Sequence, residues 1–136
     1  GSIDEVLADP NMERIGVADN ATAPYGMATY QYLEKTNRLK ALESHLVIGE
    51  SIGQVNQYIT TDAIDAAFTS YSFKVKHEND YQYFEVDQQM FDPINQGAMM
   101  LNHGKNSDEE ACKTMLDFLA SEKCKAVLNY FGYLTD

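Results

Sequence analysis

Apolar positions along the chain alternate between short continuous runs and helical intervals. Ile3, Val6 and Leu7 are spaced for a turn or two of helix, which Asp9-Pro10-Asn11 breaks. Arg14-Ile15-Gly16-Val17-Ala18 is a short apolar run and reads as a buried strand, the form that a parallel sheet covered on both faces requires. The polar stretch Asp19 to Gly26, with Pro24 and Gly26, reads as a loop. Met27, Tyr30 and Leu33 then recur at helical spacing, which predicts a helix from about Met27 to Lys35, closed near Asn37. Leu39 to Leu42 predicts a short helical piece, and Leu46-Val47-Ile48 a second strand.

Gly49-Glu50-Ser51 forms the next turn, with Ser51 as N-cap of a helix that carries Ile52, Val55, Tyr58 and Ile59 on one side. Ile64 to Thr69 reads as a third strand, Lys74 to Asp80 as a loop and Tyr81 to Val86 as another strand, interrupted by Asp92-Pro93. Gly97-Ala98-Met99-Met100-Leu101 predicts a further strand, and Asn102 to Asn106 a loop. Ser107-Asp108-Glu109-Glu110 has the form of a capping box, opening a helix with Ala111, Met115, Phe118 and Leu119 turned inward. Ser121-Glu122 starts a last helix, and Gly132 ends it.

Strands alternating with helices imply an α/β domain: a three-layer, open, mostly parallel sheet flanked by helices on both faces. Its 136 residues suit a single domain, and 44% apolar residues are enough for a core. Gly1-Ser2 reads as a cloning scar and is set aside. The net charge of −11 argues against nucleic acid, whose affinity comes from Lys and Arg neutralising phosphates, and against an anionic membrane surface. Cys112 and Cys124 are too few for a disulfide framework and lack zinc-site spacing, so buried free thiols are expected, with a disulfide between two packed helices as the alternative. His45, His77 and His103 are scattered and expected at the surface. Met99-Met100 and Tyr81 with Tyr83 are expected to fill core rather than bind a group. No motif asks for a cofactor or a metal.

Ligands of open α/β sheets bind beyond the carboxyl ends of the strands. Three such ends are predicted: at Ala18, leading into Asp19 to Gly26; at Ile48, leading into Gly49-Glu50-Ser51; and near Thr69, leading into Ser70-Tyr71-Ser72. The first two aim helix N-termini at one edge, where orphan N–H groups and the dipole suit an anion without any basic residue. Hydroxyls of Ser70, Tyr71 and Ser72 complete a neutral cage. Distant carboxylates are screened over about 8 Å. Asp19 is expected to cap its own loop, and Asp108 to Glu110 to serve a helix start. Glu50 beside Ser51 lacks a histidine base, which disfavours a hydrolase.

Taken in order, these segments resemble the second lobe of periplasmic molybdate-binding proteins. Ile15-Gly16-Val17-Ala18-Asp19 followed by Ala23-Pro24-Tyr25-Gly26 is similar to that family's strand and Val-Pro-Ala-Gly type turn. Leu46 to Ile52 resembles its Gly-Glu-Asn/Asp-Val turn, and Asp65-Ala66-Ala67-Phe68 its Asp-Ala-Gly-Phe/Ile strand. Pro93-Ile94, Gln96-Gly97-Ala98, Leu116 to Leu119 and Tyr130 to Tyr133 match its ending. The resemblance implies one lobe of a type II periplasmic binding protein, with an oxyanion-binding part over about 3–95 and a C-terminal strand and helix pair over about 96–136. It implies a tetrahedral oxyanion, molybdate or tungstate, held by the backbone N–H of Tyr25 and of Ile52. Consecutive strand side chains face opposite ways, so Ser70 is the first choice of hydroxyl donor and Tyr71 the second, and Ser51 lies beside them. Ser70 stands where the family has a tyrosine, and Tyr25 where it has a small residue.

The implied role is the extracytoplasmic solute-binding subunit of an ABC importer, without catalysis, free in the periplasm or membrane-anchored. Its partners are a membrane permease and an ATPase. The first lobe, with its further donors, has no counterpart in these residues. The chain alone is therefore expected to bind molybdate weakly, and sub-micromolar affinity by calorimetry contradicts that. The apolar surface of a lone lobe implies self-association as a homodimer. Two rival classes remain: a small-ligand sensor domain of a transcriptional regulator, and a small enzyme using the Ser51 or Ser70 hydroxyl.

Overall fold

Ile15–Ala18 forms β1, the middle strand of a parallel sheet of order β2-β1-β3, in the computed structural model, which describes residues 1–135. β2 is Leu46–Gly49 and β3 is Ala66–Ala67. β1 runs in register with β2 from Ile15↔Leu46 to Ala18↔Gly49, and with β3 at Ile15↔Ala66 and Gly16↔Ala67. All four residues of β1 are buried, as its continuous apolar run predicts.

Alternation along β1 divides the core between two helical layers. Ile15 and Val17 pack with Tyr32 and Leu33 of α2 (Pro24–Lys35) and Leu42 of α3 (Leu39–Leu42). Ala18 packs instead with Val55 and Ile52 of α4 (Ile52–Thr60). A Cβ on Gly16 would lie 2.5 Å from Ile64 Cδ1 and 3.3 Å from Val55 Cγ1, so the absent side chain lets α4 sit close to the sheet. Ile15, Val17, Leu33 and Val55 are the largest fully buried side chains, each worth about 1.5–3 kcal/mol of burial. Leu33→Ala is therefore expected to lower the unfolding free energy by about 2–5 kcal/mol in urea denaturation.

Several local signals are realised as read. Asn37 takes φ 56° beyond α2, with the Arg38 N–H donating to Leu33 O at 2.8 Å, and Gly132 takes φ 84° beyond the last helix. α1 spans Ile3–Ala8. Ser2, set aside in the sequence as part of a scar, is engaged: its Oγ accepts from the Glu5 N–H, and Glu5 Oε2 accepts from the Ser2 N–H. That Ser-x-x-Glu box is a readable start signal. Arg38 pairs with Asp4 at 2.7 Å and donates to Tyr32 OH.

Other expectations are corrected. α2 begins at Pro24, not Met27, because proline suits the first helical turn. The third strand is confined to Ala66–Ala67. The predicted loop from Lys74 overlaps helix α5, Tyr71–Lys76, which Ser70 caps and whose last turn carries Lys74 and Lys76. Tyr81 to Val86 is not a strand; its rings join a local stack in which His77 lies 4.4 Å from Phe73, and Tyr81 meets Tyr83 edge-on. An apolar or aromatic run becomes a strand only where a neighbouring edge accepts its hydrogen bonds.

The chain forms two compact units, Gly1–Ile94 and Asn95–Asp136. The second contains α6 (Asn102–Leu119) and α7 (Glu122–Tyr130) and, among the described residues, no strand. The expected strand Gly97–Leu101 is irregular, with Met99 80% exposed rather than core. The expected loop at Asn102 to Asn106 is helical. The helix breaks at Asp108, whose φ is −158°, and the Asp108 carboxylate accepts from the Ala111 N–H at 2.9 Å. Asp108, one residue after the expected Ser107, is thus the cap of the following stretch. Ala111, Met115, Phe118 and Leu119 are exposed, not inward. Ser121 caps α7 as expected, through the Cys124 N–H. Cys124 is buried, Cys112 is half-buried, and both are free thiols.

Candidate functional site

The site is built where β1 and β2 end side by side. Ala18 pairs with Gly49, and the Asp19 N–H extends the ladder to Gly49 O at 2.8 Å. From these ends the chain turns into α2 and α4, so both helix N-termini stand at the carboxyl edge of adjacent strands. Tyr25 is the second residue of α2 and Ile52 the first of α4. At those positions the N–H groups have no carbonyl four residues back within the helix, and they carry the positive end of the dipole.

Each turn is held by a different device. Asp19 Oδ1 accepts from the Ala21 N–H (2.8 Å), the Thr22 N–H (2.9 Å) and the Thr22 hydroxyl (2.9 Å). It caps its own loop, as the sequence predicts. These bonds, the Thr22 hydroxyl first, then the Ala21 N–H, hold the Asp19 carboxyl below its ordinary value against the opposing effect of burial. A lowered pKa has a definite sign. The loop's stabilisation is fully present above the ordinary aspartate value and is lost as pH falls through the lowered one. A carbon-13 NMR titration is expected to find the Asp19 midpoint below 3.8; a midpoint at or above that value contradicts the capping role.

The α2 turn also depends on Gly26. A Cβ there would lie 2.2 Å from Asp19 O and 2.4 Å from Ala18 O, both backbone atoms. The first turn of α2 therefore rests on the carbonyl end of β1, which only glycine permits. Sequence reasoning took Gly26 as a loop breaker and missed this contact.

At the second turn Ser51 Oγ accepts from the Gln54 N–H (3.2 Å), while Gln54 Oε1 accepts from the Glu50 N–H (2.7 Å). Ser51 is exposed and keeps its hydroxyl proton to donate. The reciprocal role of Gln54 was not read from the sequence, although a serine followed three residues later by glutamine signals it.

Ser70 departs from its expected setting. The alternation reading treats it as a strand residue with Tyr71 facing the opposite way, but it is the N-cap of α5. Its Oγ accepts from the Phe73 N–H (3.3 Å) and shares a hydrogen bond with Ser72 Oγ (2.9 Å). The strand argument for choosing Ser70 over Tyr71 therefore fails. Ser70 is buried while Tyr71 is exposed, its ring carrying Lys74 Nζ at 4.6 Å. Lys74 is itself paired with Glu85 at 2.6 Å. Just before Ser70, the Thr69 hydroxyl donates to Asn56 Oδ1 on α4, a bond with no local sequence signal. At the opposite end of the sheet Asp65 binds Arg14, accepting from its backbone N–H at 2.8 Å and pairing with its guanidinium at 3.6 Å.

Chemically, the edge offers uncharged donors: helix N-terminal amides and serine hydroxyls. Such donors suit an anion. Among the described residues no group of three or more His, Cys, Asp or Glu is placed to hold a metal ion, and no helix is long and apolar enough to cross a membrane. The hollow of the second unit is lined mainly by apolar side chains, Met99, Met100, Leu101, Met115 and Leu116, with His103 and Cys112 beside them.

The model of a family described as bacterial extracellular solute-binding protein matches residues 2–134. A molybdate-binding protein of Rhodobacter capsulatus, ModA, is 31% identical over 126 residues, covering 93% of this chain and 49% of that protein. The ModA of Azotobacter vinelandii is 32% identical over 130 residues, covering 94% and 51%. The chain thus spans about half the length of these relatives. The structure of the periplasmic molybdate-binding protein of Azotobacter vinelandii superposes with a TM-score of 0.89 at 20% identity, over 100% of this chain and 60% of that one. The α/β lobe architecture is the same.

Proposed function

Because the chain belongs to the bacterial extracellular solute-binding protein family, we propose that it forms the oxyanion-holding lobe of an ABC importer's solute-binding subunit, with molybdate or tungstate as its ligand. Residues of about 3–95 hold the anion, and a membrane permease and its ATPase take it onward. The observation that carries this reading is the pairing of Ala18 with Gly49, which sets the N-termini of α2 and α4 side by side at one sheet edge. The backbone N–H of Tyr25 and of Ile52 donate to the oxyanion, with hydroxyls from Ser51 and Ser70 beside them and Tyr71 as the outer alternative. The molybdate-binding relatives support the choice of ion.

Discrimination in such a site comes from spacing. Sulfate and molybdate carry the same charge, and molybdate is larger, so donors fixed for the larger ion leave the smaller one underbound. No proton transfer or nucleophile is needed, and the protein does no chemistry on its cargo. Parallel calorimetric titration of the full-length protein is expected to give tight binding of molybdate and of tungstate and much weaker binding of sulfate. Equal affinity for all three, or none for any, contradicts the proposal. The exposed Met99, Leu101, Met115, Phe118, Val127 and Tyr130 of the second unit support self-association of these residues when they are studied apart. Light scattering of the isolated chain checks this, and a monomer at all concentrations contradicts it.

A further inference from the structure

The ladder that holds β3 to the sheet is short. It pairs Ile15 with Ala66 and Gly16 with Ala67, and its last bond is the Phe68 N–H donating to Gly16 O at 2.9 Å. Thr69 and Ser70 lie beyond it, yet Ser70 is buried. What takes over where the ladder stops is a side-chain bond: the Thr69 hydroxyl donates to Asn56 Oδ1 across 13 residues of sequence, in a partly buried setting. Asn56 stands one turn along α4 from Ile52, on the same helical face. The bond therefore links the segment bearing the Ser70 hydroxyl to the helix bearing the Ile52 amide.

We infer that the Asn56–Thr69 hydrogen bond is a positioning clasp that fixes the spacing between the Ile52 N–H and the Ser70 hydroxyl, and so sets which size of tetrahedral oxyanion this edge prefers. The inference rests on the proposed function and adds a specificity role for two residues that do not touch the ion. Each end of the clasp is rigid on its own side. Asn56 belongs to a nine-residue helix packed on the sheet through the fully buried Val55. Ser70 is held by the Phe73 N–H and by Ser72. With both ends stiff, the Asn56–Thr69 bond is the adjustable joint. Without it the donors are no longer held at the spacing that fits the larger ion, so molybdate loses more than sulfate does.

The test is calorimetry of the full-length protein with molybdate and with sulfate. Thr69→Val keeps the side-chain shape and removes the donor, Thr69→Ser restores it, and Asn56→Ala removes the acceptor from a half-exposed helix position. Thr69→Val and Asn56→Ala are each expected to weaken molybdate binding by about fivefold or more and to narrow the molybdate-to-sulfate affinity ratio by a similar factor. The double variant should be no worse than either single one, and Thr69→Ser should behave as the parent. A merely structural bond would weaken both ions equally. An unchanged ratio in a parent that prefers molybdate overturns the clasp alone. A parent that binds neither ion overturns the proposed function and the clasp with it. If Thr69→Val fails to fold, Asn56→Ala decides by the same ratio.

Discussion

Gly26→Ala is expected to lower the unfolding free energy by about 3 kcal/mol, at the upper end of what overpacking costs. The added methyl would stand 2.2 Å from Asp19 O and 2.4 Å from Ala18 O. Neither neighbour is a flexible side-chain tip; both belong to the backbone at the end of the central strand. Relief requires the first turn of α2 to lift away, taking the Tyr25 amide with it. Oxyanion affinity should therefore fall together with stability. Gly53→Ala is the matched control, because the nearest atom to its added methyl is Ser51 Oγ at 3.6 Å, an ordinary contact. That variant should be neutral or stabilised by up to about 1 kcal/mol, since alanine is the better helix former. Urea denaturation of both variants checks the contrast. Equal midpoints would remove the packing role assigned to Gly26.

Ile52→Pro deletes one amide hydrogen while sparing the helix. Position 52 is the first residue of α4, where proline breaks no intrahelical bond. Ser51 before it has φ −152° and ψ 164°, the extended conformation a residue preceding proline accepts. The side chain of Ile52 also packs beside Ala18, Ala23 and Val55, so Ile52→Ala is needed to isolate that loss. Hydrogen bonds to a charged group are worth about 1.5–3 kcal/mol. Ile52→Pro should thus bind molybdate roughly 10–100-fold more weakly than Ile52→Ala in parallel calorimetry. Equal affinity of the two variants would mean that the Ile52 amide does not face the ion.

The central part of the fold was legible because its signals are local. Ile15 to Ala18 is buried on both faces and reads as such. The caps at Ser51 and Ser121, the turns at Asn37 and Gly132, and the Asp19 loop all depend on neighbours within a few residues. What escaped depends on contacts distant in sequence or on missing partners. Gly26 looks like any loop glycine until β1 lies beneath it. Thr69 and Asn56 meet only after β3 is laid against β1. Met115 and Phe118 recur at helical spacing, which predicts an inward face, yet they are exposed in a unit with too little of its own core to cover them. The run Gly97 to Leu101 has strand composition but forms no ladder among the described residues. For the site, the chain order of strand ends and helix starts points to two helix N-termini at one sheet edge, and the resemblance to molybdate-binding proteins names the Tyr25 and Ile52 amides proposed there. The setting of Ser70 was misread because its capping of α5 competes with a strand pattern that the sequence shows equally well.

The most direct test of the oxyanion cradle is amide proton and nitrogen chemical shift mapping of the full-length protein as molybdate is added. The Tyr25 and Ile52 amide protons should move downfield together, with sulfate at the same concentration leaving them nearly in place. Shifts confined to other residues, with these two amides unmoved at saturation, would contradict the account.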